Sequence, residues 1–276
     1  MRKINYPLIV SDFDGTLANR ESSVSEKNKK AIEQYIADGG IFAISTGRMP
    51  SAILPKAREL GLKGLLCCGQ GSVILDIESG ETLLQGRLSH DLSMRICKKM
   101  EELGLHTHVY DLYDYYANTD DEALKLYEQA VNKKAKLVLD KPLWKFIEET
   151  GMRTFKVLAM VEPQKASKII EELSAMQFEN CVVTKSAKFL VEVCNGAYSK
   201  GTAVEFLAKK YNVALKNTIA VGDQWNDLPM LEKAGLGLAV ANAATELKEA
   251  ATVLPYTNNE DAIAYVIENY AYITEE

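Results

Sequence analysis

Short, wholly apolar runs alternate along this chain with segments whose apolar positions recur every three to four residues, which predicts strands joined by helices. A buried strand over 8–10 is followed by a helix that Ser25 can cap, with Ala31, Ile32, Tyr35 and Ile36 on one face and Gly39-Gly40 as its stop. A second strand over 41–44, a helix over about 51–60 ended by Gly61, and a third run over 65–68 complete a series typical of a parallel sheet with crossover helices.

The pattern then changes. Residues 73–77 and 81–84 flank Ser79-Gly80 as a hairpin. Helices over about 89–103, 120–133 and 163–176, a short helix after Pro142, and strands over 106–110, 115–118, 154–161, 181–184 and 189–193 follow as a separate α+β unit. The first pattern resumes with a helix opened by Lys200-Gly201, strands over 218–221 and 236–240, a short helix capped by Asn242, a last strand at Val253-Leu254, and a C-terminal helix capped by Asn259. The expected fold class is α/β: a doubly wound parallel sheet core split into 1–84 and 195–276, with an α+β unit at 85–194 inserted between the parts.

Composition narrows the function classes. The chain has 276 residues, 47% hydrophobic and 25% charged, with a net charge of -6, which argues against gripping nucleic acid or an anionic membrane. The apolar run near the N-terminus is too short for a signal-peptide core or a membrane span, so a cytoplasmic location is expected. The five cysteines are odd in number and show no CxxC, and they read as buried free thiols. His106 and His108 alternate as on a strand with Asp111 near, but with His90 as the one further histidine a metal site there is not expected.

Three strand ends carry complementary chemistry. The first runs into Asp12 and Asp14, which face one space if the extended geometry persists past Ser11; the second runs into Thr46, Gly47 and Arg48; the fourth core strand runs into Asp223. Carboxylates are hard oxygen ligands suited to magnesium, while hydroxyl, amide and ammonium donors, including Lys200, suit a phosphate. Acids for a metal beside donors for an anion make a phosphoryl-transfer site.

The segments DFDGTL (12–17), STGR (45–48), SKG (199–201) and GDQWND (222–227) resemble, in order and spacing, the four motifs of the haloacid dehalogenase superfamily. The insert is similar in place and content to the large α/β cap of its Cof-type branch. The resemblance implies a Rossmann-like core and a magnesium-dependent phosphatase acting on small phosphorylated metabolites. Asp12 would be the nucleophile, and Asp14 the general acid and base. Thr46, Gly47, Lys200 and Asn226 would hold the phosphoryl group. Asp12, Asp223 and the Asp14 main-chain carbonyl would serve the metal, with Asp227 orienting its neighbours. A phosphomutase and a non-catalytic phosphometabolite-binding regulator are the alternatives.

Gln70-Gly71 stands where the family commonly has Asn-Gly, which puts a contact from that position in doubt. Trp225 suits pocket lining and packing equally. The tyrosines over 110–116 and the turn over 184–188, where Lys185 or Lys188 could meet an anionic substrate, are candidates for setting specificity, but ordinary solvated surface is the preferred reading. The sequence identifies neither the substrate nor an oligomeric state.

Overall fold

The computed structural model describes residues 2–19 and 21–273. In chain order its strands are β1 (Leu8–Ser11), β2 (Ile41–Ile44), β3 (Leu65–Cys68), β4 (Val73–Asp76), β5 (Thr82–Gln85), β6 (His106–Tyr110), β7 (Tyr115–Ala117), β8 (Lys136–Leu137), β9 (Lys156–Met160), β10 (Cys181–Ala187), β11 (Leu190–Asn195), β12 (Thr218–Gly222), β13 (Leu236–Ala239) and β14 (Thr252–Val253). A run as apolar as β1 belongs inside a sheet covered on both faces, and all four of its residues are buried. It pairs in parallel with β12 on one side and β2 on the other, in the sheet order β14-β13-β12-β1-β2.

The chain therefore winds outward in opposite directions from the β1–β12 pair. The carboxyl end of such a pair is the switch point at which open α/β sheets bind ligands. Ser11 lies opposite Val221, so the segments that begin at Asp12 and Asp223 emerge side by side.

The expected caps are borne out in part. The Ser25 hydroxyl accepts from the Asn28 amide and starts the helix Glu26–Ala37. Asn242 caps nothing: its amide donates to the Gly15 carbonyl and its oxygen accepts from the Asn258 amide, so it steadies the turn after β1. The helix expected to start at Asn259 begins instead at Ala262, behind a turn whose capping box joins Thr257 and Glu260. The third apolar run is also placed differently. β3 lies beside β2 but is bridged to that chain segment only at Ser45–Cys67, just past the end of β2, and otherwise begins an antiparallel β3-β4-β5 sheet.

The inserted segment builds a six-stranded sheet in the order β10-β11-β9-β6-β7-β8. Two-residue periodicity sorts its side chains. Val109, Val157, Ala159, Val191 and Val193 share one core with Ile96, Ile147 and Leu173 of the helices His90–Glu102, Leu143–Thr150 and Ala166–Ala175. The alternate positions His108, Tyr110, Lys156, Leu158, Leu190 and Glu192 occupy the other face. The two residues of β8 are exposed and carried no pattern to read. All five cysteines are free thiols, and no helix among the described residues is long and apolar enough to cross a membrane.

His108 is fully buried between the rings of Tyr115 and Tyr127, its Nδ1 has no partner, and its Nε2 lies 3.2 Å from that of His106. Burial lowers its pKa to about 3. Between that value and the unfolded one near 6.5 the unfolded chain binds the extra proton, so this group's stabilisation is intact above about pH 6.5 and fades as pH falls. His108→Leu should therefore lose about 2 kcal/mol less stability than wild type between pH 6.5 and pH 5, measured by denaturant unfolding at both values.

Candidate active site

Lys200 is the first residue of the helix Lys200–Lys210, which starts with a Ser199–Thr202 capping box. Its side chain has no exposed surface, so its ammonium must find partners inside the protein. Nζ donates to Asp12 Oδ1 at 2.6 Å and to Asp227 Oδ1 at 2.5 Å. Asp227 in turn accepts from the amides of Asp223 and Gln224 at 2.8 and 2.9 Å, which fixes the loop after β12. Thr16 and the Gln224 side chain donate to Asp223. Gly15 makes this approach possible: its φ is +77°, and a Cβ there would stand 2.4 Å from Asp223 Oδ2.

Asp12, Asp223 and Asp227 each place a carboxylate oxygen within 4.8 Å of the others. Three carboxylates against one ammonium leave a buried excess of negative charge. Burial raises the Asp12 pKa well above the ordinary carboxylate value while Lys200 opposes it; burial, then Asp227, raises Asp223 to about 6. For Lys200, burial pulls down but its two carboxylates prevail and raise it. A buried, all-oxygen cluster with uncompensated negative charge suits a hard divalent cation, and magnesium fits these residues. It would also reverse the upward carboxylate shifts.

Asp14 is placed differently from Asp12, although both line one cavity. Arg48 grips its half-exposed carboxylate with two hydrogen bonds of 2.6 and 2.7 Å, and also donates to Ser22 and to the Ala130 carbonyl of the insert. The three-carboxylate cluster thus holds Asp227 where a reading of the first motif alone would put Asp14. Thr46 is buried at the end of β2, and its hydroxyl accepts from the Arg48 amide. The Gly47 carbonyl accepts from Lys156 Nζ at 3.1 Å.

Gln70 makes the contact that the sequence left in doubt. It holds a left-handed backbone, φ 62°, costly for a side chain other than glycine. Its Nε2 donates to Glu192 at 2.9 Å and its Oε1 accepts from Asn226 Nδ2 at 2.8 Å. Glu192 also accepts from Lys156 and Ser186. An ionised carboxylate can only accept, so Glu192 fixes which way the Gln70 amide faces, and Gln70 then fixes Asn226. A chain of bonds from Gly47 through Lys156, Glu192 and Gln70 to Asn226 thus ties the insert to three loops of the core.

The Lys156–Glu192 pair is buried on both sides, with 6% and 2% side-chain exposure. Glu192→Leu should cost about 3–5 kcal/mol, because it strands a buried cation. Pairing it with Lys156→Met should recover most of that loss, as read from chemical denaturation of both variants.

The profile of the haloacid dehalogenase-like hydrolases matches residues 9–267. The chain belongs to this family. The phosphatase YwpJ of Bacillus subtilis is 30% identical over 95% of this chain and 99% of its own. A 5-amino-6-(5-phospho-D-ribitylamino)uracil phosphatase of the same organism, YwtE, is 26% identical over 94% and 96%. A haloacid dehalogenase-like hydrolase structure from B. subtilis superposes with a TM-score of 0.83 at 25% identity, covering 96% of this chain and 99% of that one.

As a phosphatase of the haloacid dehalogenase-like hydrolases, the enzyme needs room above its carboxylates. The cavity there has a volume of about 250 Å³ and reaches from Asp12, Thr46, Lys200 and Asn226 to the inner face of the inserted sheet. Tyr110 and Tyr115, expected to be solvated, are buried and line it with Tyr127. Tyr113 is exposed as expected; Trp225, which suited pocket lining or packing, is instead exposed and does not line the cavity. Lys185 pairs with Glu246 at the surface. Sequence reasoning missed Lys156 and Glu192. Their signal was available: a lone charge inside an otherwise apolar strand run is out of place unless it is paired.

Proposed function

We propose that the enzyme hydrolyses phosphate monoesters of small metabolites with magnesium, through a phosphoryl group carried by Asp12. The observation that supports this most directly is the Asp12–Lys200–Asp227 triad beside Asp223 at the switch point of the sheet. Residues 1–84 and 195–276 would form the catalytic core and 85–194 the cap.

Asp12, Asp223 and the Asp14 main chain would hold magnesium, which supplies charge neutralisation for the incoming phosphate dianion. Asp12 attacks phosphorus while Lys200 screens its charge from the substrate. Thr46, the Gly47 amide and Lys200 donate to the phosphoryl oxygens. Asn226, whose Nδ2 is shared with Gln70, reaches the same group with its second N–H. Asp14 gives a proton to the leaving alkoxide and later takes one from water. Arg48 holds both oxygens of the Asp14 carboxylate and so fixes where it stands over the cavity. Asp227 positions Lys200 and the Asp223 loop.

Purified protein should release phosphate from p-nitrophenyl phosphate or from members of a metabolite panel only with magnesium. If wild type and Asp12→Asn are equally inert throughout, hydrolysis is not its function. Isomerisation of a hexose phosphate outrunning phosphate release would favour a mutase instead.

A further inference from the structure

We propose, resting on the phosphatase reading, that the group esterified to the phosphate carries a small planar ring system, aryl or heteroaromatic, and is not a polyhydroxylated sugar. The cavity wall is the reason. Beyond the carboxylates it is made of Met49 and Ala52 from the core, Ala130 and Val131 from the cap helix Glu122–Val131, and Ala187 and Leu190 from the cap sheet. The rings of Tyr110, Tyr115 and Tyr127 complete it; the first two lie 5.2 Å apart and within 13° of parallel.

Many of the polar atoms around this space are already paired with one another. The Tyr110 and Tyr127 hydroxyls share a 2.6 Å hydrogen bond, and Tyr115 donates to the Lys133 carbonyl. The Lys133 ammonium is held by Asp114, and Glu192 is taken by Lys156, Ser186 and Gln70. A sugar would bring several hydroxyls into a space with few open partners, and each one left unpaired costs about 1–3 kcal/mol. A flat ring brings no such debt and gains from aromatic contact, about 0.5–1.5 kcal/mol per ring pair beyond its burial.

Among the donors left open are two N–H groups of Lys133 and one of Lys156. Lys156 lines the cavity 4.7 Å from the Tyr110 ring centroid, and its three N–H groups meet only the Gly47 carbonyl and Glu192. A ring nitrogen or carbonyl oxygen on the substrate would take the third. The volume, below the range of sites for drug-sized ligands, fits one small ring system.

The test compares esters with matched primary-alcohol leaving groups: benzyl phosphate and 3-pyridylmethyl phosphate against glucose 6-phosphate, each with magnesium. The ring esters should exceed the sugar in kcat/KM by about 100-fold, the scale on which an unmatched polar group is rejected, with the pyridyl ester ahead of the benzyl one. Leu190→Asn, which adds hydrogen-bonding groups to the wall, should shrink the ring-to-sugar ratio about tenfold; being a ratio within one preparation, it is insensitive to partial misfolding. Sugar turnover within tenfold of the ring esters in wild type overturns this inference and leaves the phosphatase reading standing. Absence of magnesium-dependent release from any ester overturns both.

Discussion

Asp12→Asn should lower magnesium-dependent phosphate release by on the order of 10⁴-fold or more, the scale seen when a nucleophile is removed from an otherwise intact site. Asparagine matches aspartate in shape, and its carbonyl oxygen can still accept from Lys200, which keeps its second partner Asp227. The fold should therefore survive. Without metal the variant should be at least as stable as wild type, since burial and the charges of Asp227 and Asp223 all work against ionised Asp12. Single-turnover phosphate release and thermal unfolding in chelator, run on the same preparations, separate the two effects. Residual turnover within tenfold of wild type would place the nucleophile elsewhere; a large loss of stability would make Asp12 a structural group first.

The contrast between Asp12 and Asp14 shows what the sequence could and could not say. The strand before them was legible from three apolar residues, and two acids at its end from the letters alone. Their shared direction rested on extended geometry continuing past Ser11. Instead Gly15 turns the chain at positive φ, and Asp14, with half its side chain in solvent, meets Arg48 at the end of a different strand. That strands β1 and β12 are neighbours, about two hundred residues apart in sequence, follows from no local pattern. Here the motif resemblance supplied what periodicity lacked. The tyrosines of β6 and β7 failed for the same physical reason in reverse. Alternation marks two faces of a strand but not what lies over each, and the cover here comes in part from Met49 on the core. Gln70 could not be read at all, because its two partners stand on Asn226 and on the cap strand β11.

Lys200→Met should combine a loss of activity of about 10³-fold with a loss of stability of about 3–5 kcal/mol in metal-free protein at pH 8. The side chain is fully buried and is, among the described residues, the one cation bonded to Asp12 and Asp227. Methionine fills much of the same volume, so the stability effect reports charge and not a cavity. Without the ammonium, three carboxylates remain within 4.8 Å of one another, and the folded-state pKa values of Asp12 and Asp223, already raised, must rise further. Groups shifted upward bind protons in the folded state, so what stability they retain is present at low pH and is lost as pH rises through the folded values. The variant's deficit should accordingly be smaller at pH 5 than at pH 8, whereas a side chain that only packed would leave a deficit independent of pH. Magnesium should close part of the gap at pH 8 by restoring positive charge, with about 2.7 kcal/mol gained at a hundredfold excess over its dissociation constant. Denaturant unfolding at the two pH values, with chelator and with magnesium, gives all four quantities. A deficit independent of both pH and metal would mean that Lys200 supports the site by shape, and the electrostatic account of the triad would have to be abandoned.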